Sequence, residues 1–215
     1  MRSDAGGGDP VIDFYFDFFS PYGYFAAMQI ERLAERYQRP LEWHAMLLGI
    51  SVVKVMGLKP LLETPLKGEY ILHDVPRLAA LYGIPFRMPS RRIDSLPPAR
   101  AFCWVKQHWP GQAAAFAKHL YCAYFQEDRD IGNPAVLAEL AGEQGLEGRE
   151  LRAAIDSQTI KQALRDSVSA ALERGVFGAP SFVVDGQLIW GSDRLWMLEH
   201  WLAHGAWPEP GVRQD

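Results

Sequence analysis

The sequence predicts an α/β fold made of a β-α-β unit, a long insertion built only of helices, and a closing β-β-α unit. Three observations carry this. The run Val11-Ile12-Asp13-Phe14-Tyr15-Phe16-Asp17-Phe18 is aromatic and β-branched, and it leads directly into the helix-start pair Ser20-Pro21. Asp185-Gly186 joins two short apolar runs, 181–184 and 187–190, in the way a tight hairpin turn does. Between about residues 49 and 175, segments of helical spacing alternate with Pro and Gly, and no strand signal of comparable strength interrupts them.

Strand one, 11–18, is apolar enough to lie centrally in a sheet. Ser20 is a preferred N-cap, and Pro21 suits the first helical position, where its missing N–H costs nothing. The helix is expected to run to about Tyr37, with Ala26, Ile30, Leu33, Ala34 and Tyr37 on one face and Glu31, Arg32, Glu35 and Arg36 on the other. Arg39-Pro40 stops it, and 41–47 reads as a second strand, parallel to the first through a right-handed crossover. Helices are expected at 67–82, 98–108, 112–126, 134–144, 149–155 and 157–174. The hairpin follows, then a last helix at 193–204 with Leu195, Leu198 and Leu202 on one face. The chain therefore divides into a discontinuous unit, 10–48 plus 176–207, an inserted helical domain, 49–175, and loose termini at 1–9 and 208–215.

With 215 residues, 48% of them hydrophobic, the chain can bury a substantial core. Its 22 basic and 26 acidic residues give a formal charge of −4, which argues against a nucleic-acid or anionic-membrane surface. Residues 1–10 lack the apolar centre of a signal peptide and no run reaches membrane-spanning length, so a cytoplasmic protein is expected. Cys103 and Cys122 lie far apart in helical sequence and read as small buried residues rather than a redox pair. His44, His73, His108 and His119 read as core or surface residues, and no spacing of histidines and acids suggests a metal site.

The chemistry is expected at Ser20-Pro21-Tyr22-Gly23, the strand-to-helix turn where a thioredoxin-type redox protein carries Cys-x-x-Cys. A hydroxyl and a glycine cannot cycle a disulfide, so the expected use is to bind and ionise a thiol brought by a ligand. A thiol of pKa about 8.5 needs a fall of roughly 1.5 units, about 2 kcal/mol, to be substantially ionised at neutral pH. A helix N-terminus contributes roughly 0.3–1 kcal/mol toward an anion. A hydroxyl donating to the thiolate adds about 1.5–3 kcal/mol, and the two together suffice. In a thioredoxin-like order of elements, the residue opening the final hairpin faces that turn. Ala179-Pro180 is therefore expected to be a cis bond that presents the Ala179 backbone to an extended peptide.

Four segments in order, Asp17-Phe18-Phe19-Ser20-Pro21-Tyr22, Lys67-Gly68-Glu69-Tyr70-Ile71-Leu72, Phe177-Gly178-Ala179-Pro180 and Trp190-Gly191-Ser192-Asp193-Arg194, span nearly the whole chain. Together they resemble the 2-hydroxychromene-2-carboxylate isomerases and the related kappa-class glutathione transferases. The resemblance implies a thioredoxin-like fold with a large inserted all-helical domain, glutathione as cofactor bound between the two parts, and a homodimer. It implies Ser20 as the catalytic serine that hydrogen-bonds the glutathione sulfur. It implies Ala179 beside Pro180 as the partner of the cysteinyl unit, and Trp190, Gly191, Ser192 and Asp193 as the segment holding the γ-glutamyl end. Lys67 matches a lysine that helps hold the tripeptide. Leu58 stands where the transferases have a glutathione-contacting asparagine.

The function implied is glutathione-dependent isomerisation of 2-hydroxychromene-2-carboxylate or a related intermediate of aromatic-ring degradation. Tyr22 is expected to border the cleft, and Lys54, Arg91 and Arg92 are the candidates for a substrate carboxylate; Arg194 is expected to face solvent. Two rival readings stand beside this one: a kappa-like transferase or peroxidase, and a non-catalytic thioredoxin-like module that binds peptides along the Pro180 cleft.

Overall fold

The computed structural model describes residues 11–209. Four strands form one mixed sheet in the order β2-β1-β3-β4: β1 (Ile12–Phe16), β2 (Leu41–Ala45), β3 (Ser181–Val184) and β4 (Gln187–Trp190). β1 runs parallel to β2, with Ile12 opposite Leu41, and antiparallel to β3, with Phe14 opposite Phe182. β3 and β4 form the hairpin expected across Asp185-Gly186, Ser181 opposite Trp190. This is the thioredoxin-like order with a helical insertion.

The helices are α1 (Pro21–Ala27), α2 (Ile30–Arg36), α3 (Lys67–Tyr82), α4 (Leu96–His108), α5 (Ala113–Phe125), α6 (Pro134–Glu143), α7 (Gly148–Ala154), α8 (Gln158–Glu173) and α9 (Leu195–His204). α3 and both strands of the hairpin have the bounds the sequence predicts. The expected loose termini fall almost wholly outside the described residues.

The structure corrects the sequence reading at five places, the first being strand two, which ends at Ala45 and not at residue 47. Strand one ends at Phe16 because Asp17 leaves the ladder: its carboxylate accepts the amides of Phe19 (2.9 Å) and Leu48 (2.7 Å). The single helix expected from Pro21 to Tyr37 is two, parted at Met28-Gln29. The Gln29 side-chain amide takes the Phe25 carbonyl at 2.8 Å, while its backbone N–H goes three residues back to Ala26. Residues Gly49–Val55 form a wide π-type turn that no apolar stripe announces, since Ser51 is its one buried residue. A 3-10 turn, Ser192–Arg194, precedes the last helix.

Alternation along β1 sends Phe14 and Phe16 to one face and Tyr15 to the other. Phe16 is the hub of the larger core. Its ring meets Trp43 of β2 at 5.5 Å, Phe102 of α4 at 5.0 Å and Tyr121 of α5 at 6.0 Å, so sheet and insertion share one apolar interior. Cys103 is buried in that interior, which pushes its thiol pKa up to about 12, and burial also raises the half-buried Cys122. Neither sulfur is an anion near neutral pH.

Candidate active site

Ser20 caps α1. Its Oγ accepts the Gly23 amide at 3.0 Å and donates to the Ala179 carbonyl at 3.0 Å, joining the β1–α1 turn to the mouth of the final hairpin. The Ala179-Pro180 peptide is cis. Pro21 has no N–H, and the amides of Gly23 and Tyr24 are used by Ser20 Oγ and Ser20 O. Since α1 is only seven residues long, local donors such as these outweigh any helix field.

The turn is held from below by two residues that sequence reasoning missed. The Asp17 carbonyl accepts both Ser20 N–H and the Tyr121 hydroxyl, each at 2.9 Å. Burial holds the Asp17 carboxyl above its usual range, and the two amides it accepts offset only part of that rise. Tyr121 also explains the glycine at the fourth position of the motif. A Cβ on Gly23 would lie 2.7 Å from the Tyr121 hydroxyl and 3.2 Å from Ser20 Cβ. Gly23→Ala is therefore expected to lose about 1–3 kcal/mol of stability by overpacking, read from the urea midpoint; an unchanged midpoint would mean that Tyr121 yields freely.

The second wall is the turn after β4. Gly191 adopts φ 111°, a conformation open to glycine, and its amide donates to the Pro180 carbonyl at 2.9 Å. The Ser192 hydroxyl is buried and has no hydrogen-bond partner among the described residues, a costly state for a polar group. Asp193 is largely exposed and lies over Gly191 together with Arg194. Arg194 is substantially exposed, as expected, and at the surface it donates to the Trp190 carbonyl at 2.9 Å and lies 5.7 Å over the Trp190 ring. Trp190 packs at 5.0 Å on Phe177.

α3 closes a third side. Tyr22, half-buried, donates to Asp74 Oδ2 at 2.8 Å, and Tyr70 donates to Asp74 Oδ1 at 3.0 Å. Burial, then this bond, then the nearby Asp74 and Asp193 charges hold the Tyr22 phenol far above its usual pKa, so it remains a donor. Asp74 is a further residue the sequence reading did not single out; its signal was the four-residue spacing from Tyr70 on one helix face. Lys67 is exposed at the first position of α3, and Leu58 is exposed in the loop before it. Lys54 is exposed on the π-type turn. Arg91 faces Asp130 at 3.8 Å, whereas Arg92 pairs with Glu63 and lies 4.9 Å over the ring of Phe19, the neighbour of Ser20.

Among the described residues no group of three or more His, Cys, Asp or Glu is placed to hold a metal, and no helix is long and apolar enough to cross a membrane. Two surface grooves, one along the β2 edge beside Trp43 and Lys106 and one between Pro76 and Phe86, contain neither Ser20 nor Pro180.

The DsbA-like thioredoxin domain matches residues 11–203. The chain belongs to the DsbA-like thioredoxin family. This DsbA-like chain is 31% identical over 193 residues to the 2-hydroxychromene-2-carboxylate isomerase of Sphingobium xenophagum, covering 89% of this chain and 97% of that one. It is 28% identical over 197 residues to the enzyme of the same name from Pseudomonas putida, covering 88% and 92%. Glutathione S-transferase kappa 1 of Rattus norvegicus is 27% identical over 205 residues, with 89% and 90% covered. A solved structure of a 2-hydroxychromene-2-carboxylate isomerase matches the fold with a TM-score of 0.82 at 28% identity, covering 90% of this chain and 94% of that one. Within the DsbA-like family this protein is an enzyme of the isomerase and kappa-transferase branch.

Proposed function

We propose that this DsbA-like protein is a glutathione-dependent isomerase of 2-hydroxychromene-2-carboxylate or a related aromatic-degradation intermediate. One observation carries the reading: the Ser20 hydroxyl and the Ala179 carbonyl share a hydrogen bond of 3.0 Å. When the cysteinyl N–H of glutathione takes that carbonyl, the Ser20 hydrogen is released to turn toward the sulfur. The Gly23 amide stays on Ser20 Oγ and fixes one lone pair, so the hydroxyl is oriented before the thiolate arrives. Pro180 shapes the strip along which the tripeptide lies, and Gly191 and Trp190 frame its γ-glutamyl end. Ser192 offers a hydroxyl without a partner among the described residues, and Asp193, with Asp74 nearby, offers negative charge to the α-ammonium. Lys67 is suited to a glutathione carboxylate. With Leu58 apolar, that side supplies no polar contact from its side chain.

The thiolate's electron pair forms a bond to an unsaturated carbon of the substrate or its ring-opened form, while the carbon–carbon π pair shifts to leave an enolate on the conjugated carbonyl oxygen. The former double bond then rotates, and elimination returns the thiolate, so glutathione is not consumed. Tyr22 borders this space. Arg92, through Phe19, is the best placed of the three basic candidates for a substrate carboxylate.

The proposal includes a division at residues 48/49 and 175/176 between the glutathione-binding unit and the helical one, a cytoplasmic setting and a homodimer. Exposed Val55, Leu58, Leu61, Leu62 and Leu66 on the segment beside the cleft support the dimer. The kappa-like transferase or peroxidase is the second reading, favoured by the Lys67-Gly68-Glu69-Tyr70 segment at the start of α3. Family membership displaces the non-catalytic peptide module. Incubation with 2-hydroxychromene-2-carboxylate and glutathione tests the choice: isomer with glutathione regenerated is expected. A stable thioether would favour transfer, and no glutathione binding would overturn both.

A further inference from the structure

We infer that the Arg92–Glu63 ion pair is a carboxylate-selective latch across the cleft mouth, in which an aromatic carboxylate substrate displaces Glu63 from Arg92. The inference rests on the cleft assignment made above and adds the acid that competes for the substrate's place.

Arg92 has a fixed backbone and a movable head. The Arg91 carbonyl before it accepts the Tyr124 hydroxyl at 3.0 Å, and Ile93 after it is buried. The Arg92 side chain is 53% exposed and its guanidinium lies 4.9 Å over Phe19, beside Ser20. The cation is therefore held beside the Ser20 turn by an aromatic face, with one guanidinium nitrogen on Glu63. Glu63 comes from the segment that leads into α3. It ends a 3-10 turn, Leu61–Glu63, whose Leu62 backbone packs so closely on Gly68 in the first turn of α3 that a side chain at Gly68 would collide with the Leu62 carbonyl. Glu63 and Lys67 therefore ride on one rigid mount.

A pair this exposed contributes little to stability. Its position matters more. Glu63 is 50% exposed and can swing into water at small cost, whereas a planar aromatic carboxylate can take the same fork in a bidentate pair while its ring meets Phe19. A neutral electrophile gains nothing by opening the pair. Selection for acids over esters then follows from the exchange of one carboxylate for another. Arg91 faces a different acid, Asp130 in the loop before α6, at 3.8 Å.

The test is calorimetric titration of the full-length protein with chromone-2-carboxylate, an unreactive aromatic acid, and with its methyl ester. Wild type is expected to prefer the acid by about tenfold or more, the range of a charge-assisted hydrogen bond. Arg92→Ala should abolish the preference, weakening the acid by about tenfold more than it changes the ester. Glu63→Gln should tighten the acid roughly threefold to tenfold by removing the competitor, without effect on the ester. Equal binding of acid and ester, absence of acid binding, equal losses for both ligands in Arg92→Ala, or weaker acid binding in Glu63→Gln would each overturn the latch. Parallel titration with S-methylglutathione separates the two claims: its failure to bind would sink the glutathione reading while leaving the acid–ester comparison to judge the latch.

Discussion

Ser20→Ala is expected to raise the thiol pKa of bound glutathione by about one to two units, the equivalent of losing a hydroxyl donor to an anion. Burial has already pushed both protein thiols up, so the ionised sulfur has to come from the ligand and owes its charge to donors at the α1 turn. The sign of the pH effect follows. A raised thiol pKa means less thiolate at neutral pH, so the variant loses about tenfold or more of its rate near pH 7, and the deficit narrows as pH rises through the new pKa. Titration of the ultraviolet thiolate absorbance of the bound tripeptide reads the shift directly. Ser20→Thr keeps the hydroxyl and should restore most of it, which separates a lost donor from a disturbed cap. An unchanged thiol pKa in Ser20→Ala would remove Ser20 from the chemistry and leave it an N-cap that tethers Ala179.

Phe16→Ala should produce the largest loss of stability, about 3–5 kcal/mol, because it deletes a fully buried ring and leaves a cavity that its neighbours cannot close. That is a large share of the 5–15 kcal/mol by which domains of this kind are typically stable. Phe16 touches Trp43 from the sheet and Phe102 and Tyr121 from the insertion, so both parts should lose stability together. In urea, one transition moved to lower concentration is the expected result, seen alike by tryptophan fluorescence and far-ultraviolet dichroism. Two transitions, one of them unshifted, would mean that the sheet and the helical insertion hold separate cores.

Local signals made much of this fold legible. Asp185-Gly186 marks the hairpin because that pair suits a tight turn, and the helical spacing within 67–82 marks α3 to the residue. The break at Gln29 is hidden in sequence because the apolar stripe continues through it; the side-chain amide on the Phe25 carbonyl and the backbone N–H turned to Ala26 show that the ladder stops. The π-type turn at Gly49–Val55 was hidden because its period matches no apolar pattern. The site divides in the same way. Ser20 and Pro180 could be paired from the order of elements, and Asp74 left a trace in its spacing from Tyr70, but Asp17 and Tyr121 act through bonds between distant segments, and no local pattern records a partner 104 residues away.

The sequence by itself determined the α/β class, the place of the helical insertion, the absence of a cysteine pair at the strand-to-helix turn, and the serine that replaces it. Those properties depend on residue type and near-neighbour spacing, which a linear string carries in full. Tertiary structure alone decided how the turn is clamped by Tyr121, why its fourth residue is glycine, which arginine reaches Phe19, and that Arg194 folds back on Trp190. Each of these is a contact between surfaces brought together only when the sheet and the insertion close on a common core, where packing and hydrogen bonding select among side chains that look alike in sequence.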